Sequence, residues 1–327
     1  MARVGIIGGG AFGTALAAVL RRSRHETTLW AREAEVVMAI NTEHVNPHFL
    51  PGVDLDAGIR ATNELACAAH QQDFIVLAPP AQHLRAIANQ LRPLLADGTP
   101  VVICSKGIER GTCALMPEVV AEVIPTATIA VLSGPTFAKE IARDLPCGVA
   151  LACRDAPVRD RLVHAIRTPH FCVHGNDDVI GTALGGVMKN VLAIASGIAA
   201  GRKLGENARA TLITLGLAEA MRLAVAKDAK AETFLGMAGI GDLALTANSL
   251  QSRNTSLGVA LGEGRKLAAV LAERKEVTEG AFSVEAIVAL ARRLHVAMPI
   301  SEAIDKVLNH GADLDATIAR WMDMVQV

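Results

Sequence analysis

The sequence predicts an α/β protein in two parts, a doubly wound parallel sheet followed by an all-α domain. Three observations predict it: strands alternate with helices in the first half, strand signals stop near residue 178, and a glycine-rich turn directly follows the first strand-like run. The strand candidates, rich in β-branched residues, are Val4–Ile7, Thr27–Trp30, Phe74–Ala78, Val101–Ser105 and Thr128–Ser133. Helical patterns lie between them at Thr14–Arg22, Ala34–Asn41, His83–Leu95 and Pro117–Val123. Strand–helix–strand repetition marks βαβ units, whose crossovers build a parallel sheet. Beyond 178 the apolar residues recur at helical spacing in Val179–Ala200, Glu206–Lys227, Arg253–Leu261, Leu267–Arg274, Ser283–Leu294, Ser301–Asn309 and Asp315–Met324. The expected domains are therefore 1–178 and 179–327. Asn41–Gly52 and Ala238–Ser252 read as the least regular segments, where sites are commonly built.

Composition narrows the function classes. The chain has 327 residues, 51% of them hydrophobic and only 3% aromatic, with a mean hydropathy of +0.34, so aliphatic side chains must fill the core. Lys and Arg number 32 against 33 Asp and Glu, a net charge of −1. No general basic field exists to hold nucleic acid or an anionic membrane, so any anion site must be local. The six cysteines form no CxxC pair and sit mostly in apolar runs, which fits free buried thiols in a reducing cytoplasm. The start of the chain reads as a strand running into a glycine turn, and no signal peptide is expected. Val179–Ala200 is long enough for a membrane span, but Lys189 and Asn190 stand at its centre, where a charge is costly; stable membrane insertion is not expected.

Gly8-Gly9-Gly10-Ala11-Phe12-Gly13 fits GxGxxG between the first strand and a helix. In that setting Gly8 permits the tight turn, Gly10 lets a pyrophosphate approach the backbone, and Gly13 allows close helix–strand packing. The helix N-terminus then offers unpaired N–H groups to the anion. This is the fingerprint of a Rossmann-type dinucleotide-binding domain. About 20 residues on, where an acid would hold a ribose 2′-hydroxyl, the sequence reads Trp30-Ala31-Arg32-Glu33. Arg32 suits a 2′-phosphate and Glu33 keeps NAD open, so NADP(H) and NAD(H) are both expected cofactors. Ligands of such sheets bind beyond the carboxyl ends of the strands, and Lys106 and Ser133-Gly134-Pro135-Thr136 fall on that same rim.

In the helical half, Gly185, Gly186, Lys189, Ala193 and Ser196 share one helix face, so small neighbours surround a single cation. A desolvated lysine can exchange protons near neutrality. Gly239-Ile240-Gly241-Asp242 supplies a turn with a carboxylate. Ser252-Arg253-Asn254 opens a helix with a cap and a guanidinium able to grip an anion. The histidines show no metal-binding spacing, and no metal is expected.

Eight segments, taken in order, resemble bacterial NAD(P)-dependent glycerol-3-phosphate dehydrogenase nearly from end to end: GIIGGGAFGTALA, NPHFLPGVDL, SKGIERGT, LSGPTFAKEIA, GGVMKNVLAIASGIAAG, GMAGIGDLALT, QSRNTSLG and VTEGAFS. The resemblance implies dinucleotide contacts from Ala11, Phe12, Arg32, Lys106, Gly134 and Ala138, with Arg253, Val277 and Glu279 nearby. It implies Lys189 as the catalytic proton donor and acceptor. It implies a small phosphorylated substrate touching Lys106, Gly134, Thr136, Lys189, Asp242, Ser252, Arg253 and Asn254. The chain departs from the family's frequent pattern at Ala11-Phe12, where Ser-Trp is common, and at Pro80, where serine is. The implied reaction is reversible reduction of dihydroxyacetone phosphate to sn-glycerol 3-phosphate, feeding glycerophospholipid synthesis, with a homodimer among the assemblies left open. Two rivals stand beside it. A β-hydroxyacid dehydrogenase of the phosphogluconate type would want asparagine four residues after the lysine, where this chain has Ala193. A non-enzymatic dinucleotide sensor would have no need of a proton donor.

Overall fold

The computed structural model describes residues 1–273 and 278–325, the stretch 322–325 as backbone only. Two compact units divide it, Met1–Lys106 with Met116–Ala183, and Gly107–Leu115 with Leu184–Val327. The α/β class expected from the sequence holds in the first unit and the all-helical class in the second.

In the first unit, β1 (Arg3–Ile7), α1 (Ala11–Arg22), β2 (Glu26–Trp30) and α2 (Ala34–Glu43) follow the expected alternation. A small hairpin then comes, β3 (Val45–Asn46) with β4 (Leu50–Asp54), and after it β5 (Ile59–Thr62). The expected irregularity of Asn41–Gly52 is thus partly strand. The chain continues through α3 (Leu65–Ala69), β6 (Phe74–Leu77), α4 (Leu84–Leu91), β7 (Pro100–Ile103), α5 (Met116–Val123), β8 (Thr128–Ser133), α6 (Ala138–Ala142), β9 (Cys147–Cys153), α7 (Ala156–Ile166) and β10 (Phe171–Asn176). The main sheet runs β10-β9-β8-β7-β6-β1-β2-β5. It is parallel except where β8 meets β9. Its central strands are apolar on both faces, with Val4, Ile6, Ile7, Ile75 and Leu77 fully buried, because helices cover both sides of such a sheet. From β1 the chain goes to β2 on one side and later returns to β6 on the other. The carboxyl end of β1 is therefore the point where strand order reverses, the place such sheets use for ligands.

Strands β9 and β10 carry weak strand signals, Cys-Gly-Val-Ala-Leu-Ala-Cys and Phe-Cys-Val-His-Gly-Asn, and form only by pairing with each other and with β8. All six cysteines are free; Cys67 and Cys172 are exposed rather than buried, Cys172 lying on the edge strand β10.

Helix α8 (Val179–Gly201) is long and apolar enough to cross a membrane by composition, yet 83% of its most apolar window is buried inside the protein. The helices after it are α9 (Glu206–Ala226), α10 (Asp242–Ala247), α11 (Arg253–Gly262), α12 (Leu267–Ala272), α13 (Glu279–Arg293), α14 (Pro299–Asn309) and α15 (Leu314–Val325). Glycine explains how α8 and α11 meet. A Cβ on Gly197 would lie 2.2 Å from the Thr255 carbonyl oxygen, and one on Gly258 would lie 2.2 Å from that of Ile194. The two backbones touch with no side chains between them, as small-residue helix pairs allow. Glu219 of α9 is buried and caps α14, accepting from the Ile300 and Ser301 N–H groups and the Ser301 hydroxyl. Burial raises its pKa against these hydrogen bonds.

Candidate active site

The glycine-rich turn leaves β1 and enters α1, whose first residues are Ala11 and Phe12. Gly8 has φ +129, a conformation that side chains rarely adopt, and its N–H donates to the Trp30 carbonyl at 3.0 Å. A Cβ on Gly13 would sit 2.0 Å from the Gly8 carbonyl oxygen, so the third glycine serves the close packing expected of it. A Cβ on Gly10 would meet nothing within 4 Å. The turn thus has an open side beside the first N–H groups of α1, which fits a pyrophosphate cradle. Ala11 and Phe12 are half-buried and pack on the core of the unit. Arg32, just past β2, has a side chain 79% exposed, with Nε and Nη2 donating to Glu33 Oε1 at 3.1 and 2.9 Å.

The ends of β6, β7 and β8 lie on the same edge, since β1, β6, β7 and β8 pair in parallel. There the Lys106 ammonium donates to the Gly134 carbonyl at 2.9 Å and to Thr136 Oγ1 at 3.4 Å. The Thr136 hydroxyl in turn donates to the same carbonyl at 3.0 Å. Gly134 is held at φ +155 with Val149 Cα only 2.9 Å from where a Cβ would be, so no other residue fits without shifting backbone. Ala138 opens α6 and is half-buried against the core. Burial pushes the Cys104 thiol up to about 12 against the opposing charge of Lys106, which leaves it a poor nucleophile.

In the second unit, Lys189 projects from α8 with its side chain 14% exposed, toward Asp242, which is 1% exposed. Its Nζ lies 3.2 Å from Asp242 Oδ1 and donates to Thr246 Oγ1 at 3.0 Å. The Thr246 hydroxyl donates to that same carboxylate oxygen at 3.2 Å. Asp242 and Thr246 are one turn apart on α10, so a single short helix presents both partners. A π-helical turn, Met237–Gly241, leads into α10 and passes so near α8 that a Cβ on Gly185 would be 2.4 Å from the Ala238 carbonyl oxygen. The small face around Lys189 therefore admits another backbone.

Ser252 caps α11 by accepting the Thr255 N–H at 3.2 Å, and exposed Arg253 is the helix's first residue. Asn254 is buried and donates to Asn190 Oδ1 at 2.9 Å, while its own oxygen accepts the Gly280 N–H at 3.0 Å. Asn254 thereby links the residue after Lys189 to α13, which Glu279 opens. Val277 lies outside the described residues.

Sequence reasoning missed Thr246: Ala238–Ser252 reads as an irregular segment, whereas the chain there forms the π-helical turn and α10, which put Thr246 one turn from Asp242. It also missed Arg209 of α9, which donates to the Ala247 carbonyl at 3.1 Å and so braces the C-terminal end of α10. Among the described residues no three of His, Cys, Asp and Glu gather as a metal would require.

A fingerprint turn at the reversal point of a parallel sheet, and a buried lysine braced by a carboxylate in a helical unit, define a dinucleotide-dependent dehydrogenase class. Residues 3–158 match the family model for the N-terminus of NAD-dependent glycerol-3-phosphate dehydrogenase, and residues 178–319 match that for its C-terminus. The glycerol-3-phosphate dehydrogenase (NAD(P)+) of Parvibaculum lavamentivorans is 50% identical over 97% of this chain and 95% of its own length. That of Rhodospirillum rubrum is 51% identical over 96% of this chain and 90% of its own length. The crystal structure of glycerol-3-phosphate dehydrogenase from Coxiella burnetii superposes with a TM-score of 0.94 at 35% identity, covering 98% of each chain. The chain belongs to the NAD-dependent glycerol-3-phosphate dehydrogenase family.

Proposed function

We propose that the protein reduces dihydroxyacetone phosphate to sn-glycerol 3-phosphate, reversibly, using NADPH or NADH. The observation that carries the reading is the Lys189–Asp242–Thr246 cluster, a nearly buried ammonium held at 3.2 Å from a carboxylate and 3.0 Å from a hydroxyl. The dinucleotide would be held by the turn Gly8–Gly13 with Ala11 and Phe12 at the head of α1, by Arg32 or Glu33 at the ribose, and by Lys106, Gly134 and Ala138 on the same rim. Arg253, Val277 and Glu279 are assigned to the cofactor as well. When bound, the reduced nicotinamide supplies the hydride that the carbonyl carbon accepts.

Lys189 holds the proton at Nζ and gives it to the carbonyl oxygen as negative charge develops there. A cation aimed at that oxygen from a site poor in water stabilises the transition state more than the ketone. Asp242 and Thr246 fix the ammonium, and Asp242 offsets the cost of burying it. Ser252, Arg253 and Asn254 receive the substrate's phosphate at the N-terminus of α11, where the planar guanidinium can take two oxygens. Gly134, Thr136 and Lys106 are assigned to the substrate on the sheet side. In the oxidative direction Lys189 takes the hydroxyl proton back.

The proposal puts the activity in the cytoplasm, supported by six free cysteines that suit a reducing compartment. It makes the product available to glycerophospholipid synthesis, with a homodimer as the assembly to be tested by light scattering. The direct test is to incubate the protein with NADPH and dihydroxyacetone phosphate and follow loss of reduced-nicotinamide absorbance. Steady loss that requires both compounds is expected. Absence of turnover with retained NADPH binding would instead favour a dinucleotide sensor.

A further inference from the structure

The motif that begins Asn46-Pro47-His48-Phe49 has no role in the chemistry described so far, yet its first residue is among the most buried polar groups of the protein. Asn46, at 0% exposure, sits in the β3–β4 hairpin. Its Nδ2 donates one hydrogen to the Gly9 carbonyl and the other to Thr14 Oγ1, each at 2.9 Å. The Thr14 hydroxyl donates onward to the same Gly9 carbonyl at 3.3 Å. Asn46 Oδ1 accepts the Phe49 N–H at 3.1 Å. This network fixes which end of the amide is which, because an oxygen could not face the Gly9 carbonyl.

A trans peptide is planar, with its C=O and N–H pointing in opposite directions. Drawing the Gly9 carbonyl inward to Asn46 and Thr14 therefore turns the Gly10 N–H outward. The backbone there is uncrowded, since a Cβ at Gly10 would meet nothing within 4 Å. Three consecutive glycines cannot fix this orientation themselves, since glycine is the residue with the widest choice of φ and ψ. The clamp has to come from outside the turn. A neutral amide is suited to it: the side chain donates to a carbonyl without placing a negative charge beside a bound anion.

We propose that Asn46 is a positioning residue for the dinucleotide, clamping the Gly9 carbonyl so that the Gly10 N–H is presented to the pyrophosphate. The inference rests on the reading that this turn binds a dinucleotide. Its role is in ground-state binding of the cofactor and separate from proton transfer at Lys189.

The test uses the full-length protein and equilibrium titrations of NADPH and NADH by fluorescence. Each variant is also melted, and its kcat and KM for dihydroxyacetone phosphate are taken at saturating NADPH. Asn46→Ala should raise the Kd for both dinucleotides by the same factor, about tenfold, the scale of losing buried hydrogen bonds and leaving the Gly9 carbonyl with the Thr14 hydroxyl alone. Asn46→Asp should raise it further. The kcat and the KM for dihydroxyacetone phosphate should stay within about twofold of wild type, the split expected when only cofactor binding is lost. Thr14→Val should raise the Kd less, and Thr14→Ser, which keeps the hydroxyl, should restore it; this pair serves if Asn46 variants fold poorly. His25→Ala is the stability control in the same unit, its ring bridging the Ala2 N–H and the Ala165 carbonyl. It should lower the melting temperature and leave both Kd values unchanged. A Kd unchanged in Asn46→Ala and in Thr14→Val, or raised as much by His25→Ala, would overturn the proposal. If wild type itself binds neither dinucleotide, the functional reading falls first and the clamp with it.

Discussion

The glycine turn of the first unit and the lysine cluster of the second solve opposite problems by different means. The turn works through backbone: its N–H groups and an absence of side chains make room for a large anion, and its shape is written in spacing alone, Gly8, Gly10 and Gly13 between a strand and a helix. The cluster works through side chains brought from α8 and α10, with Lys189 and Thr246 separated by 57 positions in sequence. Backbone sites read directly from sequence because glycine is demanded by sterics at fixed offsets. Side-chain sites read poorly, because a lysine on an apolar helix is compatible with a snorkelling surface residue until its partners are known.

The largest effect that would break this comparison is at Lys189. Lys189→Ala should lower kcat by about 10²–10⁴, the range usual for general acid–base catalysis, while NADPH binding by fluorescence stays intact. If kcat held and only KM rose, Lys189 would be a binding residue, and the second unit would work by contact like the first.

A smaller loss is expected at Arg253. Arg253→Ala should cut kcat/KM for dihydroxyacetone phosphate by about 10–100-fold, the value of one charge-assisted hydrogen bond, and Arg253→Lys should cut it less. The control is the phosphate-free ketone, dihydroxyacetone, in the same variants. Equal damage to both ketones would show that Arg253 does not read the phosphate.

The helix pair α8–α11 sharpens the contrast from the side of stability. Gly258→Ala forces a Cβ to within 2.2 Å of a backbone oxygen, which must move. Overpacking of this kind costs about 1–3 kcal/mol, read as a lower melting temperature, and it displaces the two helices that carry Lys189 and Arg253. Turnover should fall by more than the dinucleotide Kd rises, since most of the residues assigned to the cofactor lie in the other unit. A variant that loses cofactor affinity in step with stability would argue against two independently built sites.

How much of this was legible follows the same division. The strands β1, β2, β6, β7 and β8 announce themselves by β-branched runs, and the long helices of the second unit by their period. By contrast, β9 is built from Cys, Gly, Val, Ala and Leu and is a strand only because β8 and β10 flank it. Hairpin β3–β4 was hidden by Pro47 and Pro51, residues that usually interrupt strands. Among site residues, Asp242 and Arg253 stood out as charges at turns and helix starts. Thr246 did not, because a threonine on a buried helix has many bland uses. Asn254 showed itself as a polar residue at a helix start, but its partners Asn190 and Gly280 lie 64 and 26 positions away, and no local pattern encodes such a link.

The smallest expected effect concerns the one place where sequence left two cofactors open. Arg32 is exposed and paired with Glu33 at 2.9 Å. Such surface pairs are worth only about 0–1 kcal/mol, so the guanidinium can leave Glu33 for a 2′-phosphate at little cost. A charge-assisted bond to that phosphate is worth about 1.5–3 kcal/mol, tenfold or more in affinity. Arg32→Ala should therefore weaken NADPH about tenfold and leave NADH nearly unchanged, measured by paired fluorescence titrations. Glu33→Gln separates the two residues' roles. It removes the carboxylate that competes for Arg32 and repels a 2′-phosphate, so NADPH should bind as well or better. If Glu33 holds the ribose hydroxyl of NAD, NADH should bind less well in the same variant. Equal losses of both cofactors in Arg32→Ala would mean that the arginine serves the adenine or the loop, and that this part of the first unit, like the rest of its turn, does not distinguish one dinucleotide from the other.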